Sequence, residues 1–364
     1  AKSGGVENVV ENLAPLLVKL GCEVTVYCRN PYCKEKPKEF KGVKLKYLPA
    51  LNLRETEALT HSFLSSFNAL FKNYDLVHFH AMANGPFSIL PRIFGKKTVV
   101  TLHGLDWERE KWGPLAKAYL KLSEKMICAF PNQVISVSNK IKKYYKNKYN
   151  KDIAYIPNGI NMVKPRELNL LKEFGLKKDN YILFLSRIVP EKGVHFLIEA
   201  FKNTNTSLKL VIAGDATHTD KYYRQVKALA KDDKRIIFTG ALYGEKKYEA
   251  FSNARLFVLP STIEGMPIVL LEAMSFGTCP LVSDIEENLE VIGDNGFSFK
   301  SKDPSDLKGK IEYIINHPLE AKNKGKQCQE LVKSKYQWPA IAKQTLAVYN
   351  EVLEKKNAKK IVEE

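Results

Sequence analysis

The feature that most limits what this chain can become is an alternation that runs through it twice. In the first half, short apolar, β-rich runs read at Glu23–Cys28, Leu76–His80, Thr98–Leu102, Gln133–Val137 and Ile153–Ile156. After Asn158-Gly159 a polar linker with Pro165 intervenes. The alternation then restarts at Tyr181–Leu185, Leu208–Ala213, Arg235–Phe238, Arg255–Leu259, Gly277–Val282 and Phe297–Phe299. Helical stretches fill most of the gaps. Runs without a polar alternate face suit strands buried on both sides, and strand-helix-strand repetition is how a parallel sheet gets both faces covered. A chain of 364 residues exceeds one ordinary core, so two domains are expected. The expectation is therefore an α/β chain of two doubly wound domains facing across a cleft, with right-handed crossovers.

The helices have their own signals. Val6–Leu20 has apolar residues at 6, 9, 10, 13, 16, 17 and 20, and Gly21 closes it. Pro15 lies inside this stripe, and a kink is expected there. Further helices are expected over Pro114–Phe130 and, short and basic, over Lys140–Tyr149. Trp338–Leu353 is apolar at 338, 341, 342, 346, 349 and 353, and the last eleven residues, charged, are expected to fray.

Composition narrows the class. Hydrophobic residues make up 45% and aromatic ones 10%, which is globular usage. No apolar run reaches the ~18 residues that a membrane-spanning helix needs, and no charged-then-apolar leader is present. The cysteines, Cys22, Cys28, Cys33, Cys128, Cys279 and Cys328, form no C-x-x-C pair. Scattered thiols point to a reducing compartment, hence to the cytoplasm. Net charge is +17, and residues 1–165 hold 26 Lys and Arg against 13 Asp and Glu. That excess fits an anionic partner such as lipid head groups, a polyprenyl phosphate or an acidic glycan; it equally fits a Lys-rich composition. Nucleic acid is not expected, because no helix-turn-helix, RNP-like or zinc-finger pattern accompanies the charge.

Ligands of doubly wound sheets gather at the carboxyl ends of the strands, so residues just after each strand carry the chemistry. Gly4-Gly5 opens the first helix, where backbone N–H groups can meet a phosphate; a simple turn is the alternative. Such a loop normally follows a strand, and the chain starts at Ala1 without one, so a first strand is expected to be missing. Arg187 and Lys192 flank a proline turn in Ser186-Arg187-Ile-Val-Pro190-Glu191-Lys192-Gly193. Their charges can converge on a diphosphate, or the segment is a solvated loop. Glu264-Gly265-Met266-Pro267-Ile268-Val269-Leu-Leu-Glu272 reads as a strand-to-helix turn with Pro267 opening the helix. The N–H groups of residues 266–270 are then expected to be unpaired. A carboxylate at Glu272 in so apolar a run needs hydrogen-bond donors, and vicinal ribose hydroxyls supply them. His103 follows the strand Thr98–Leu102, whereas His78 and His80 read as strand packing, with His80 near enough the end to reach the cleft. No metal-ligand cluster and no Asp-x-Asp pair is found, so the expectation is no cofactor and no metal.

Taken in order, these segments resemble the retaining glycosyltransferases of family 4, with the GT-B fold of two Rossmann-like domains. The resemblance is carried by Gly4-Gly5-Val-Glu7, Thr101-Leu-His103-Gly, Val134-Ile-Ser-Val-Ser138, Ile156-Pro-Asn-Gly159, Ser186-Arg187 with Lys192-Gly193, Val211-Ile-Ala-Gly214-Asp215, Phe238-Thr-Gly240, and Val258 to Asp284. Glu264 and Glu272 match the family's E-x7-E signature. The resemblance implies that Arg187 and Lys192 hold a donor diphosphate, that Glu272 binds the ribose, and that Glu264 contacts the donor sugar near its reacting carbon. It implies N–H groups of the turn for sugar and phosphate, Gly5 closing over the phosphate, and His103 beside the sugar. Ala241 and Leu242 would border the base, and Gly214 joins the donor-binding set.

The implied domains are an acceptor-binding one over 1–160, a nucleotide-sugar-binding one over 161–337, and a C-terminal helix over 338–364 that crosses back to the first. The implied activity is metal-independent, retaining transfer from a nucleotide-diphosphate sugar to a hydroxyl acceptor, a glycan or lipid-linked glycan of envelope or polysaccharide synthesis. The alternatives are a nucleotide-sugar 2-epimerase and a non-catalytic binding subunit. For an anionic membrane surface at the inner face, the expected patch is Lys140, Lys142, Lys143, Lys146, Lys148 and Lys151 interleaved with Tyr144, Tyr145 and Tyr149, against the alternative of a solvated helix face.

Overall fold

The computed structural model describes residues 5–30, 35–50, 57–110, 112–216 and 220–362, and of 355–362 the backbone alone. Gly4 and Cys33 lie outside the described residues. The chain divides into two compact units, Ala1–Gly159 with Trp338–Glu364, and Ile160–Gln337.

The first unit runs α1 (Gly5–Lys19), β1 (Thr25–Arg29), β2 (Glu39–Phe40), β3 (Val43–Leu48), α2 (Glu57–Leu70), β4 (Leu76–His80), α3 (Ile89–Ile93), β5 (Lys97–Leu102), α4 (Pro114–Ala129), β6 (Gln133–Ser136), α5 (Asn139–Tyr149) and β7 (Ala154–Tyr155). Instead of one open sheet it holds two, ordered β1-β3-β2 and β4-β5-β6-β7. The second is wholly parallel. The sheets stay separate because β1 and β4 each end one of them, and no described strand takes up their free edges. Helix α1 continues through Pro15, which is buried. Its end at Gly21 closes with Cys22 N–H donating to Leu17 O and Gly21 N–H to Val18 O. The apolar run in β5 becomes the centre of the core, with Val100 and Leu102 fully buried against Leu120, Ile127, Val134 and Tyr145, and Val99 buried on the other face of the strand.

Buried Glu124 on α4 joins that helix to α5. Its carboxylate accepts from Trp107 Nε1 at 2.5 Å, Tyr149 Oη at 2.5 Å, Lys148 Nζ at 2.8 Å and Tyr144 Oη at 2.9 Å. The tyrosines are thereby withdrawn from the expected lipid-facing patch on α5, while Lys143, Lys146 and Lys148 stay exposed. Tyr145 is fully buried and the tyrosines at 144 and 149 turn inward, since an enclosed carboxylate must be met by donors. Lys142 pairs with Asp152 at 3.6 Å, and Lys151 Nζ donates to Cys128 O at 2.7 Å.

The C-terminal helix, Trp338–Val362, belongs to this first unit. Trp338, Ile341, Ala342, Thr345 and Val352 are buried, and a Cβ at Gly159 would run into the Trp338 ring. The expected fraying is not seen as far as Val362: the backbone keeps its helix across the charged stretch.

The second unit runs β8 (Tyr181–Leu185), α6 (Val194–Lys202), β9 (Lys209–Ala213), α7 (Asp220–Ala230), β10 (Ile236–Gly240), α8 (Gly244–Asn253), β11 (Leu256–Leu259), α9 (Ile268–Ser275), β12 (Pro280–Ser283), α10 (Glu286–Ile292), β13 (Phe297–Phe299), α11 (Pro304–Asn316) and α12 (Pro318–Lys335). The six strands form one parallel sheet in the order β10-β9-β8-β11-β12-β13. Numbered within the unit this is 3-2-1-4-5-6, the order of dinucleotide-binding folds. The central strands β8, β9 and β11 are almost wholly buried, as their unbroken apolar runs require. One strand begins later than expected, at Pro280 rather than Gly277. Gly277, at φ +75°, ends α9 instead, with its N–H on Met274 O at 2.9 Å.

Candidate active site

In a sheet of order 3-2-1-4-5-6 the winding reverses between the first and fourth strands, and a crevice opens at their carboxyl ends. Here those strands are β8 and β11. The segment after β8 carries Arg187 and Lys192; the segment after β11 carries Glu264 and Glu272. Thr262 N–H donates to Glu191 O at 2.9 Å across the two loops. Gly193 stands at φ +66°, and a Cβ there would strike Pro260 O. Only glycine allows both that backbone angle and that approach. Gly214, at the end of β9, is similarly pressed against Ser186 O, so its lack of a side chain is explained by the closeness of two strand ends.

Lys192 Nζ and Glu264 Oε1 form an ion pair, with 12% and 7% of their side chains exposed. Arg187 is exposed, and no counter-ion lies within reach among the described residues. Its guanidinium is an unspent positive charge five residues before the lysine of a compensated pair, a setting that suits an incoming anion.

Pro267 is the cap of α9 rather than its first residue, with φ −76° and ψ 102°, and the helix starts at Ile268. Leu270 N–H is taken by Pro267 O at 3.1 Å, which removes it from the donors expected over 266–270. The N–H groups of Ile268 and Val269 stay open at the helix start, next to buried Gly265 and Met266. Glu272, one turn further, accepts from Lys247 Nζ of α8 at 2.7 Å. Ala241 and Leu242 lie between β10 and α8, Leu242 buried and Ala241 half-buried. The end of this sheet thus offers one free guanidinium, two open N–H groups and two carboxylates already oriented by lysines.

His103, in the first unit, follows β5 as expected. Its Nε2 lies 3.1 Å from His80 Nδ1, and the two rings stack with centroids 5.3 Å apart. His78 bonds Tyr349 Oη through Nδ1 at 2.6 Å and Thr101 Oγ1 through Nε2 at 2.7 Å. Burial drives all three imidazoles toward the neutral form, His80 down to about 4 and His103 down to about 3. For His103 the neighbouring His80 and Arg109 add to that effect, and His78 is lowered as well. A cavity of about 20 Å³ among His78, His80, His103, Thr101 and Thr345 has room for one water. Glycine at position 5 begins α1, and a Cβ there would meet nothing within 4 Å.

Two family models match the chain in tandem: "Glycosyltransferase Family 4" over residues 3–164 and "Glycosyl transferases group 1" over 168–338. The chain belongs to glycosyltransferase family 4. It is a glycosyltransferase of GT-B fold that uses a nucleotide-sugar donor. An uncharacterized glycosyltransferase of Methanocaldococcus jannaschii is 29% identical over 61% of this chain, and that match spans 60% of the relative's length. A second from the same organism is 26% identical over 96% of this chain and 95% of its own. The UDP-Gal:alpha-D-GlcNAc-diphosphoundecaprenol alpha-1,3-galactosyltransferase of Escherichia coli is 31% identical over 62% of each chain. Among solved structures, sucrose-phosphate synthase of Thermosynechococcus elongatus superimposes with a TM-score of 0.84 at 21% identity, covering 97% of this chain and 94% of the other. HepE of Anabaena, in complex with UDP and glucose, gives 0.81 at 18% identity, over 96% and 97%.

Within the second unit of this family member, Lys192 and Glu264 meet at one sheet end, and Arg187 and Glu272 stand in the segments that follow the same two strands. Lys247 is the residue that sequence reasoning missed. It sits in an ordinary charged helix with no motif, and only its contact with Glu272 marks it out. The bond between His80 and His103 was missed as well. A period-two pattern, with His78 and His80 on one face of β4, was the available signal.

Proposed function

We propose that this transferase moves a sugar from a nucleotide-diphosphate donor to a hydroxyl of a glycan or lipid-linked glycan, with retention of configuration and without a metal ion. The observation that carries the reading is the Lys192–Glu264 pair at the switch point of the second unit, with the uncompensated Arg187 five residues before the lysine. Arg187 and Lys192 hold the diphosphate, together with the N–H groups of Ile268 and Val269. Glu272 accepts from the ribose hydroxyls, Leu242 and Ala241 border the base, and Glu264 receives a sugar hydroxyl near the reacting carbon.

As the bond from sugar carbon to diphosphate oxygen breaks, negative charge collects on the leaving diphosphate. Fixed cations and open N–H groups stabilise that charge more strongly in the transition state than in the bound donor. The acceptor oxygen bonds to the same face of the sugar carbon, and its proton passes to an oxygen of the departing diphosphate. In this reading the side-chain cations take the place of a metal ion. The Escherichia coli relative is a galactosyltransferase named for a diphosphoundecaprenol-linked sugar, which supports a lipid-linked acceptor in envelope or polysaccharide synthesis. The anionic inner face of the cytoplasmic membrane is then the place of work.

The test combines a thermal-shift panel of UDP-, GDP-, ADP- and dTDP-sugars with a transfer assay on the best donor, in the presence and absence of a chelator. Donor stabilisation is expected to be about 2.7 kcal/mol at a hundredfold excess over Kd, and to fall in Arg187→Ala. Glu264→Gln is expected to lower turnover by about a hundredfold or more. Undiminished transfer by Glu264→Gln would remove Glu264 from its role, and transfer abolished by chelator would overturn metal independence.

A further inference from the structure

Three of the six exposed phenylalanines described in the first unit lie along α2 and its end. On α2, Phe63 is 48% exposed and Phe67 50%, and Phe71, just past the helix end, is 71% exposed. A spacing of four residues stacks them along one face. The Phe63 and Phe67 centroids are 6.5 Å apart and those of Phe67 and Phe71 5.3 Å apart. Helix α3 packs on α2, and at its end Ile93 and Phe94 stand 72% and 66% exposed. Lys96 Nζ donates to Lys72 O at 2.5 Å, which ties the Ile93–Phe94 turn to the Phe71 end of α2.

At these exposures the five side chains show on the order of 600 Å² of apolar surface, the upper end of what a monomer usually leaves bare. A stable protein partner normally takes about 800 Å² from each side, so this face is small for a second copy. Its edge is cationic: Lys72, Arg92 and Lys96 stand against Asp75 alone in this stretch. Helix α2 itself carries no Lys or Arg, and its one acid, Glu57, is at the far end. Apolar rings at the centre and cations at the edge match the layering of an anionic bilayer, with acyl chains beneath phosphates.

We propose that the Phe63–Phe67–Phe71 face of α2, with Ile93 and Phe94, seats the protein on an anionic lipid bilayer. The rings enter the boundary between head groups and acyl chains, and Lys72, Arg92 and Lys96 meet the phosphates. The proposal rests on the reading of a membrane-borne acceptor for its purpose. Its test uses neither donor nor acceptor, so either can fail alone.

The full chain is sedimented with vesicles of phosphatidylcholine alone and of phosphatidylcholine mixed with phosphatidylglycerol. Binding to the mixed vesicles is expected to be at least about tenfold stronger and to weaken with salt. The double variant Phe67→Ser/Phe71→Ser is expected to lose about tenfold or more of that binding, with an unchanged unfolding midpoint. Lys72→Gln/Arg92→Gln should erase the preference for phosphatidylglycerol while leaving the weak binding to neutral lipid. Wild-type protein remaining in the supernatant with the mixed vesicles would overturn the proposal. So would binding indifferent to the Phe variants, or a dimer that those variants dissolve, which would make the face a contact between copies.

Discussion

Lys247 and Glu272 meet at 2.7 Å from two different helices of the second unit, with 22% and 15% of their side chains exposed. The lysine fixes the direction of the carboxylate that is proposed to receive ribose hydroxyls. Lys247→Met keeps the stem and removes the charge. It is expected to weaken every nucleotide-sugar alike, by about tenfold or ~1.4 kcal/mol, because the ribose is common to all of them. Calorimetric titration with two donors of different base checks it. A loss confined to one base would assign Lys247 to base recognition instead.

Two glycines at loop ends should respond in opposite ways. Gly193→Ala forces a side chain into φ +66° and against Pro260 O, and is expected to cost ~2 kcal/mol or more. Gly5→Ala has open space around its Cβ and should alter stability by less than about 0.5 kcal/mol. If Gly5 closes over the donor phosphate, Gly5→Ala still weakens donor binding. Denaturant unfolding and donor titration of the two variants separate these effects.

The histidines of the first unit make its stability depend on acid. His80 is lowered to about 4 and His103 to about 3 from an ordinary 6.5. The unfolded chain therefore binds more protons between pH 6.5 and those values, and stability falls as pH drops through that window. Each histidine contributes at most about 1.4 kcal/mol per pH unit there. Above pH 6.5 both states are neutral and the effect is absent. Subtracting the unfolding free energies of His80→Asn/His103→Asn from those of wild type across pH 4.5 to 7.5 should show this slope. A flat difference would disprove it.

Glu124 in the first unit has four donors on its carboxylate. Glu124→Ala leaves Trp107, Tyr144 and Tyr149 without their acceptor. It is expected to cost ~3 kcal/mol or more. Glu124→Gln, which keeps an acceptor oxygen, should cost about half as much. Thermal unfolding of both variants reads the difference.

Much of this was legible in advance. Buried parallel strands announce themselves as unbroken apolar runs, so those of the second unit and most of the first could be found within a few residues; β3 (Val43–Leu48), half-buried and broken by lysines, was missed. Because ligand groups follow strand ends in such sheets, Arg187, Lys192, Glu264 and Glu272 could be named from order along the chain. What failed depended on which way a side chain turns. Tyr144, Tyr145 and Tyr149 alternate with lysines as a membrane patch does, yet they face Glu124 and the core. Lys247 and Glu272 are twenty-five residues apart, and no local pattern signals that they meet. Leu270 N–H was counted among the open donors until the cap at Pro267 showed where it bonds.

The sequence by itself determined the repeated α/β alternation, the family, and the acids and cations that stand after the strands. These follow from local rules, namely hydrophobic period, turn chemistry and order along the chain. Only the tertiary structure decided that the winding of the second unit reverses between β8 and β11, that Lys192 holds Glu264 and Lys247 holds Glu272 while Arg187 stays free, and that the bare aromatic face lies on α2 and not α5. The reason is physical. A charge or a ring has no fixed meaning along a chain; it is spent or left open according to what the fold brings within about 4 Å of it.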